Sequence, residues 1–435
     1  MRFLIAVPLL AATAVGAQQA PTVRLINAPD AQSKPILGQA AAVRQLPNGE
    51  LLVNDIAKRQ LLLLDRSLTA SAVVADSVSG GASSYGPRPG ALVGYFGDST
   101  LFVDPADLSM FVIDPTGKIA RVAAVPRSQD ANAMGNNVTG SPAIDSHGRL
   151  VYRGAPPRMM PQVGPKGEFS IPELPDSAAI VRVDLATRKL DTAGFFKIAK
   201  NKMVTSQNER GGMMITSEIN PMQTLDDFAV LADGSIAIVR GRDYHIDFVN
   251  PDGGMSSAPK VAFDWQRMTD EDKIAVIDSA RTAMEKLRSQ MTAGGTNLSI
   301  SGASGGGPTM VFQMGAGGDG GGRGGPPPGG PAGGAAAGLG GALNFVNASD
   351  LPDYRPVFSS GGVKADLDGN LWVRTSSVRA GAIAGPIYDV INRQGAVVER
   401  VQVPSGRAIV GFGKSGVVYM VARDDKGSWI ERTHR

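Results

Sequence analysis

The sequence predicts an all-β fold, a six-bladed β-propeller. Three observations carry that expectation. Short apolar runs of strand length recur along the chain. They are joined by Asn-Gly, Asp-Gly and Asp-x-x-Gly turns. The first turns of successive units fall near Gly49, Asp98, Gly148, Gly234, Gly369 and Gly416. With one insertion allowed for, four of these steps match a blade period of about 40–50 residues. Regular short strands also fit a pair of β-sandwiches, which is the structural alternative.

The template unit is Leu46 to Asp65. Pro47-Asn48-Gly49 makes a tight turn, because Asn and Gly tolerate positive φ. Leu51 to Val53 and Leu61 to Leu64 are apolar runs short enough for buried strands. On this template the blades are expected near 39–76, 91–125, 141–199, 226–264, 357–403 and 407–435. The last blade lacks a fourth strand, and residues 22–26 (Thr22 to Ile26) are expected to supply it, closing the ring of 18–435 and hiding its open edge.

The repeated Asp-x-x-Gly hairpins, and the Leu371-Trp372-Val373 strand after the Asp366-Leu-Asp-Gly369 turn, resemble the six-bladed propellers of the NHL and TolB-like superfamily. The resemblance covers residues 22–435 apart from the insertions. It implies an exported bacterial propeller. The superfamily includes lactonases and other metal-dependent hydrolases, lyase domains and non-catalytic binding proteins. No metal-ligand set of those hydrolases matches residue by residue.

At the N-terminus, Arg2 carries a charge, Leu4 to Val15 is apolar, and Val15-Gly16-Ala17 is small. This order predicts a signal peptide over residues 1–17 and a periplasmic or extracellular protein. No later segment approaches the ~20 apolar residues of a membrane span. The 435 residues carry a formal net charge of +3 and no basic run, so nucleic acid is not an expected partner. With no cysteine and three histidines, disulfides, thiolate metal sites and a Cys nucleophile are excluded, and a multi-histidine centre is not expected.

Two segments fall outside the repeat. Within 266–293, Thr269 to Met291 predicts a helix. Thr269 caps it, acidic residues fill its first turn, and Ile274, Ile277, Ala280, Met284, Leu287 and Met291 form one stripe. Packing on the propeller rim is the expected role, and partner binding is the alternative. Residues 294–341 are dominated by Gly, Pro, Ala and Ser, and are read as a disordered insertion.

First-to-second and third-to-fourth strand turns are all short, and lie on one face of the ring. The long segments are Ser77–Gly90, Pro126–Gly140, Ala155–Ser177, Lys200–Leu225, Gln266–Pro356 and Thr375–Pro386. All belong to the opposite face, where function is expected to collect. Several second strands end on arginine: Arg153, Arg240, Arg374 and Arg423, against Asn54 and Asp104 in the first two units. If the registers match, these guanidiniums meet at the channel mouth and suit carboxylate or phosphate groups. Local pairing with Asp104, Asp243 or Asp424 is the alternative. Tyr244 and His245 complete the candidate binding set. His147 and His434 are expected to be solvated. Asn132, Asn136, Asn137 and Glu218 have oxygens suited to Ca²⁺ or Mg²⁺ but no ligand spacing of defined type.

The expectation is therefore a monomeric, exported binding or interaction module without a resident cofactor. Its loop-rich face would take an anionic ligand or a protein partner. The alternative is a metal-dependent lactonase-like or ester hydrolase with Ca²⁺ or Mg²⁺ in the central channel.

Overall fold

The computed structural model describes residues 21–435 except 79, 82–83, 136–139, 156–161, 164–168, 171–174, 201, 208–212, 295–343, 378–384 and 425–426. The expected signal peptide, and nearly all of the insertion read as disordered, lie outside the described residues.

Six sheets form the ring. Blade one comprises Ala40–Gln45, Leu51–Asp55, Gln60–Leu64 and Ser71–Asp76. Blade two comprises Ala91–Gly94, Thr100–Asp104, Ser109–Ile113 and Ile119–Ala124. Blade three comprises Ala143–Ile144, Arg149–Arg153, Ser177–Asp184 and Leu190–Lys197. Blade four comprises Asp227–Val230, Ile236–Arg240, His245–Val249 and Met255–Ser257. Blade five comprises Phe358–Ala365, Leu371–Thr375, Ile387–Ile391 and Val397–Gln402. Blade six comprises Arg407–Phe412, Val417–Asp424 and Gly427–His434. Within each blade, successive strands pair antiparallel.

An N-terminal strand does close the last blade, but it is not the segment the sequence suggested. Ala31–Gln32 pairs antiparallel with Gly427–His434 and is blade six's fourth strand. Val23–Leu25, from the Thr22 to Ile26 run, instead lies parallel on the outer strand of blade five. The chain therefore crosses the outer edge of blade five before it reaches blade six.

A propeller blade is apolar on both sheet faces, because each face meets a neighbouring blade. Six of the buried apolar clusters follow that rule. Leu52, Tyr85 and Phe102 fill the interface of blades one and two, and Val103, Leu150 and Tyr152 that of two and three. Val151, Phe196 and Phe228 join three to four, and Val239, Tyr244 and Val373 join four to five. Trp372, Val390 and Met420 join five to six, and Val43, Leu51 and Tyr419 close six onto one. Trp372 is fully buried, and truncating such a residue to Ala costs about 3–5 kcal/mol.

A seventh cluster lies outside the ring. The helix Asp270–Gly294 packs Val276 and Ile277 against Met222, Val346 and Leu351. Nearby, Lys202–Gln207 and Met213–Ile219 form a hairpin extended by the parallel strand Asn344–Phe345. Residues of two insertions thus assemble an accessory layer. Ile277, Ala280 and Met284 of the predicted stripe are buried, whereas Ile274 is 52% exposed. Thr269 caps the helix as expected: its Oγ1 accepts from Asp272 N at 3.2 Å, and its own N–H donates to Asp272 Oδ2 at 2.9 Å. Among the described residues no helix is long and apolar enough to cross a membrane.

Candidate functional site

The turns that close the first hairpin of each blade fix a common register. Their bonds run from the N–H of Leu46, Tyr95, Asp145, Leu231, Asp366 and Gly413 to the carbonyls of Glu50, Ser99, Arg149, Ser235, Asn370 and Val417. Counted from these carbonyls, Asn54, Arg153 and Arg374 are equivalent, and Val103, Val239 and Val421 share their position. Arg240 and Asp104 fall one residue later, and Arg423 two later. A shift of one residue turns a side chain to the opposite face of its sheet. The four arginines therefore do not form one ring, and the expected shared register is corrected.

Their partners separate them further. Arg240 is paired locally, with Asp226 at 2.8 Å, Asp247 at 2.7 Å and the Phe195 carbonyl at 3.0 Å. Arg153 lies 6.0 Å from the Phe196 ring centroid, and Asp227 acts on it through space, while burial lowers its pKa. Arg153 and Arg240 thus flank the Phe195–Phe196 end of one strand. Arg374 stands across from Tyr388 in blade five. Arg423 is exposed, across from Ser428.

Tyr244 is fully buried between blades four and five, where its hydroxyl donates to Asp389 Oδ2 at 2.9 Å. Burial raises its pKa well above the usual phenol value, with the Asp389 charge adding to the shift. Arg400 approaches the other Asp389 oxygen at 3.0 Å. Tyr244 is therefore a blade-to-blade staple. His245 has Asp243 at 2.6 Å from Nδ1 and Asp247 at 3.3 Å from Nε2, and Lys260 pairs with Asp243 at 3.1 Å. This chain of charges crosses the outer half of blade four, since Asp247 also faces Ser257 of the fourth strand.

The carboxylates nearest the loop-rich mouth act as acceptors for backbone N–H groups. Asp55 takes Gly38 and Gln39 at 2.8 and 2.9 Å. Asp104 takes Gly86 at 2.6 Å and Ala106 at 2.9 Å. Asp227, fully buried, takes Gly140 at 2.8 Å and Phe228 at 2.9 Å on Oδ1, and Gly361 at 2.9 Å on Oδ2. It ties blade four to the strand entries of its neighbours. Burial pushes Asp227 up to about 7, against the pull of these donors. Among the described residues no three His, Asp or Glu side chains converge in a way that would hold a metal ion. Asn136 and Asn137 lie outside the described residues, Asn132 accepts from Arg88 at 3.0 Å, and Glu218 pairs with Lys202 at 3.3 Å.

Besides Arg407, which opens the inner strand of blade six and pairs with Glu431, two cations that sequence reasoning missed lie on inner strands: Arg44 in blade one and Lys364 in blade five. Both are partly exposed, as are Ala41, Ala42, Ser359, Val410 and Gly411 on the inner strands of blades one, five and six. The inner strand of blade four is wholly buried. Inner strands are flanked by neighbouring blades, so this exposure is to the channel. The available signal was a charge within a short strand assigned to the axis, as in Val363-Lys364-Ala365.

No family model matches the chain, and no curated protein matches it. Solved structures do. The chain is similar to a gluconolactonase from Xanthomonas campestris at 9% identity and TM-score 0.38, covering 96% of this chain and 99% of that one. It is similar to regucalcin, a calcium-binding protein from Agrobacterium tumefaciens, at 11% identity and TM-score 0.34, covering 95% and 98%. It is also similar to a member of the DUF4221 family from Bacteroides vulgatus, at 8% identity and TM-score 0.43, covering 95% and 97%. At these identities the likeness concerns the fold alone.

Proposed function

We propose that this chain is an exported binding or interaction module whose loop-rich face takes an anionic ligand or a protein partner. The observation that carries the reading is the accessory layer. Residues of the Lys200–Leu225 and Gln266–Pro356 insertions fold together, with an apolar core of their own, on the face opposite the short turns. Long connections on a rigid scaffold are where recognition concentrates. Export rests on the charged, apolar and small-residue order of residues 1–17.

The test is site-specific photocrosslinking of the full chain in the periplasmic and secreted fractions of a bacterium producing it. Reactive groups go at Arg374 and Ile274 on the loop-rich side, and at Asn48 and Asp252 on the turn side. Adducts confined to the first pair are expected. Adducts confined to the turn side, or equal on both, overturn the reading. Chelator-sensitive hydrolysis of lactones or esters by the purified chain would put the hydrolase in its place.

A further inference from the structure

We infer that Lys364 forms an oxyanion site inside the central channel, taking a carboxylate or phosphate group of a ligand. The inference rests on the reading above only for the side from which the ligand enters.

The geometry begins with the inner-strand position two residues before each hairpin-closing residue. Around the ring it is held by Arg44, Val93, Ala143, Ala229, Lys364 and Gly411. Val93 and Ala229 are buried between blades, so the positions of this level that keep exposure are Arg44, Ala143, Lys364 and Gly411, two cations and two small residues with no acid. The two cations are treated differently by the blade ahead of them. Arg44 donates to Thr100 Oγ1 at 2.9 Å and to the Ser99 carbonyl at 3.1 Å, both in blade two. In blade six, Val418 stands at the register of Thr100, so the hydroxyl that anchors Arg44 has no counterpart ahead of Lys364. Lys364 makes no hydrogen bond or ion pair among the described residues. Only Asp227 acts on it, through space.

An ammonium has three donors and no other way to satisfy them than acceptors or water. Enclosing it without a partner is costly. Burial indeed draws the Lys364 ammonium below its ordinary value. The residue nevertheless keeps partial exposure, and its amine is not among the fully enclosed unpartnered atoms, so water reaches it. A ligand oxygen arriving there would gain a charge-assisted hydrogen bond. The nearest acid opposes it weakly, since both Asp227 oxygens are engaged by backbone N–H groups.

The probes are inorganic phosphate and malonate, each compared with sodium chloride at equal ionic strength, and the readout is the melting temperature of the full mature chain. Phosphate or malonate is expected to raise it beyond the chloride control. The arm with the larger gain names the group the site takes. Lys364→Met is expected to melt higher than wild type without anion, because the enclosed charge is gone, and to lose the anion-dependent gain. Lys364→Arg is expected to keep a gain. In the wild-type chain, phosphate should also protect Lys364 from an amine-reactive reagent, a readout independent of whether the variants fold. Absence of any gain over chloride, an equal gain in Lys364→Met, or unprotected Lys364 overturns the inference. The photocrosslinking result is unaffected by these outcomes, so the loop-rich face can stand while the channel site fails.

Discussion

Asp227 shows how one buried acid can link blades and also impose a pH dependence. Its folded pKa is raised to about 7, against about 3.9 for an unfolded Asp. Between those values the folded chain holds the proton more tightly than the unfolded chain does. Stability should therefore fall as pH rises from about 4 to about 7, and flatten above. Asp227→Asn removes the titration. It also sets an amide N–H₂ against the N–H of Gly361 or Gly140, so the variant should be less stable throughout, with a shallower slope in that window. Urea midpoints at pH 4, 5.5, 7 and 8 test this, and equal slopes in both proteins would sink it. Tyr244→Phe is the companion case: it strips a hydrogen bond from a buried Asp389 oxygen. A loss of about 1–3 kcal/mol is expected, read as a lower urea midpoint. Such roles were hidden in the sequence. Tyr244 and His245 stood in a conspicuous polar run, but Tyr244, in a turn with φ 50°, is buried in the interface of blades four and five.

At the scale of the blade, turn chemistry was the legible part. Gly49, Gly117, Gly148, Gly234, Gly253, Gly369 and Gly395 all have positive φ, as the Asn-Gly, Asp-Gly and Asp-x-x-Gly patterns required. Their surroundings differ, and that separates their costs. A Cβ on Gly234 would lie 2.3 Å from the Ser146 backbone nitrogen of blade three, whereas nothing lies within 4 Å of one on Gly369. Gly369→Ala should cost the backbone strain alone, about 1 kcal/mol. Gly234→Ala must in addition push two blades apart and should cost clearly more. Thermal melts of the two variants decide it, and equal losses would contradict the interface geometry. Register was less legible. Arg153 and Arg240 both end a second strand, yet they differ by one residue relative to their turns. A repeat of apolar runs and turns does not resolve one residue, and one residue decides the face. The accessory layer was illegible for another reason. Its strands pair Met213–Ile219 with Asn344–Phe345, across a sequence separation that no local pattern spans.

The whole ring depends on how its ends are fastened, and here the two N-terminal strands have unequal work. Val23–Leu25 adds to the edge of a blade that already has four strands. The following stretch supplies the strand that blade six lacks. Ser33 donates to the Ile430 carbonyl at 2.7 Å and accepts from Ile430 N at 2.9 Å through Oγ, and Leu37 N donates to the Ser428 carbonyl at 2.8 Å. Leu37 is 1% exposed, in the cluster that joins blades six and one. Asp30 pairs with Arg432 at 2.9 Å and His434 at 3.1 Å. A chain starting at Ala28 loses the parallel strand and the Arg24–Glu399 pair, while Arg435 still holds Glu399 at 3.1 Å. It should show no new association and melt within a few degrees of a chain starting at Gln18. A chain starting at Gly38 loses the closing strand and the Leu37 anchor, a burial loss of about 2–5 kcal/mol on its own. It also exposes the outer edge of Gly427–His434 to other molecules. It should melt far lower and associate, as read by calorimetry and light scattering. Equal destabilisation of the two truncated chains would mean that Val23–Leu25 closes the ring after all, as the bare sequence suggested.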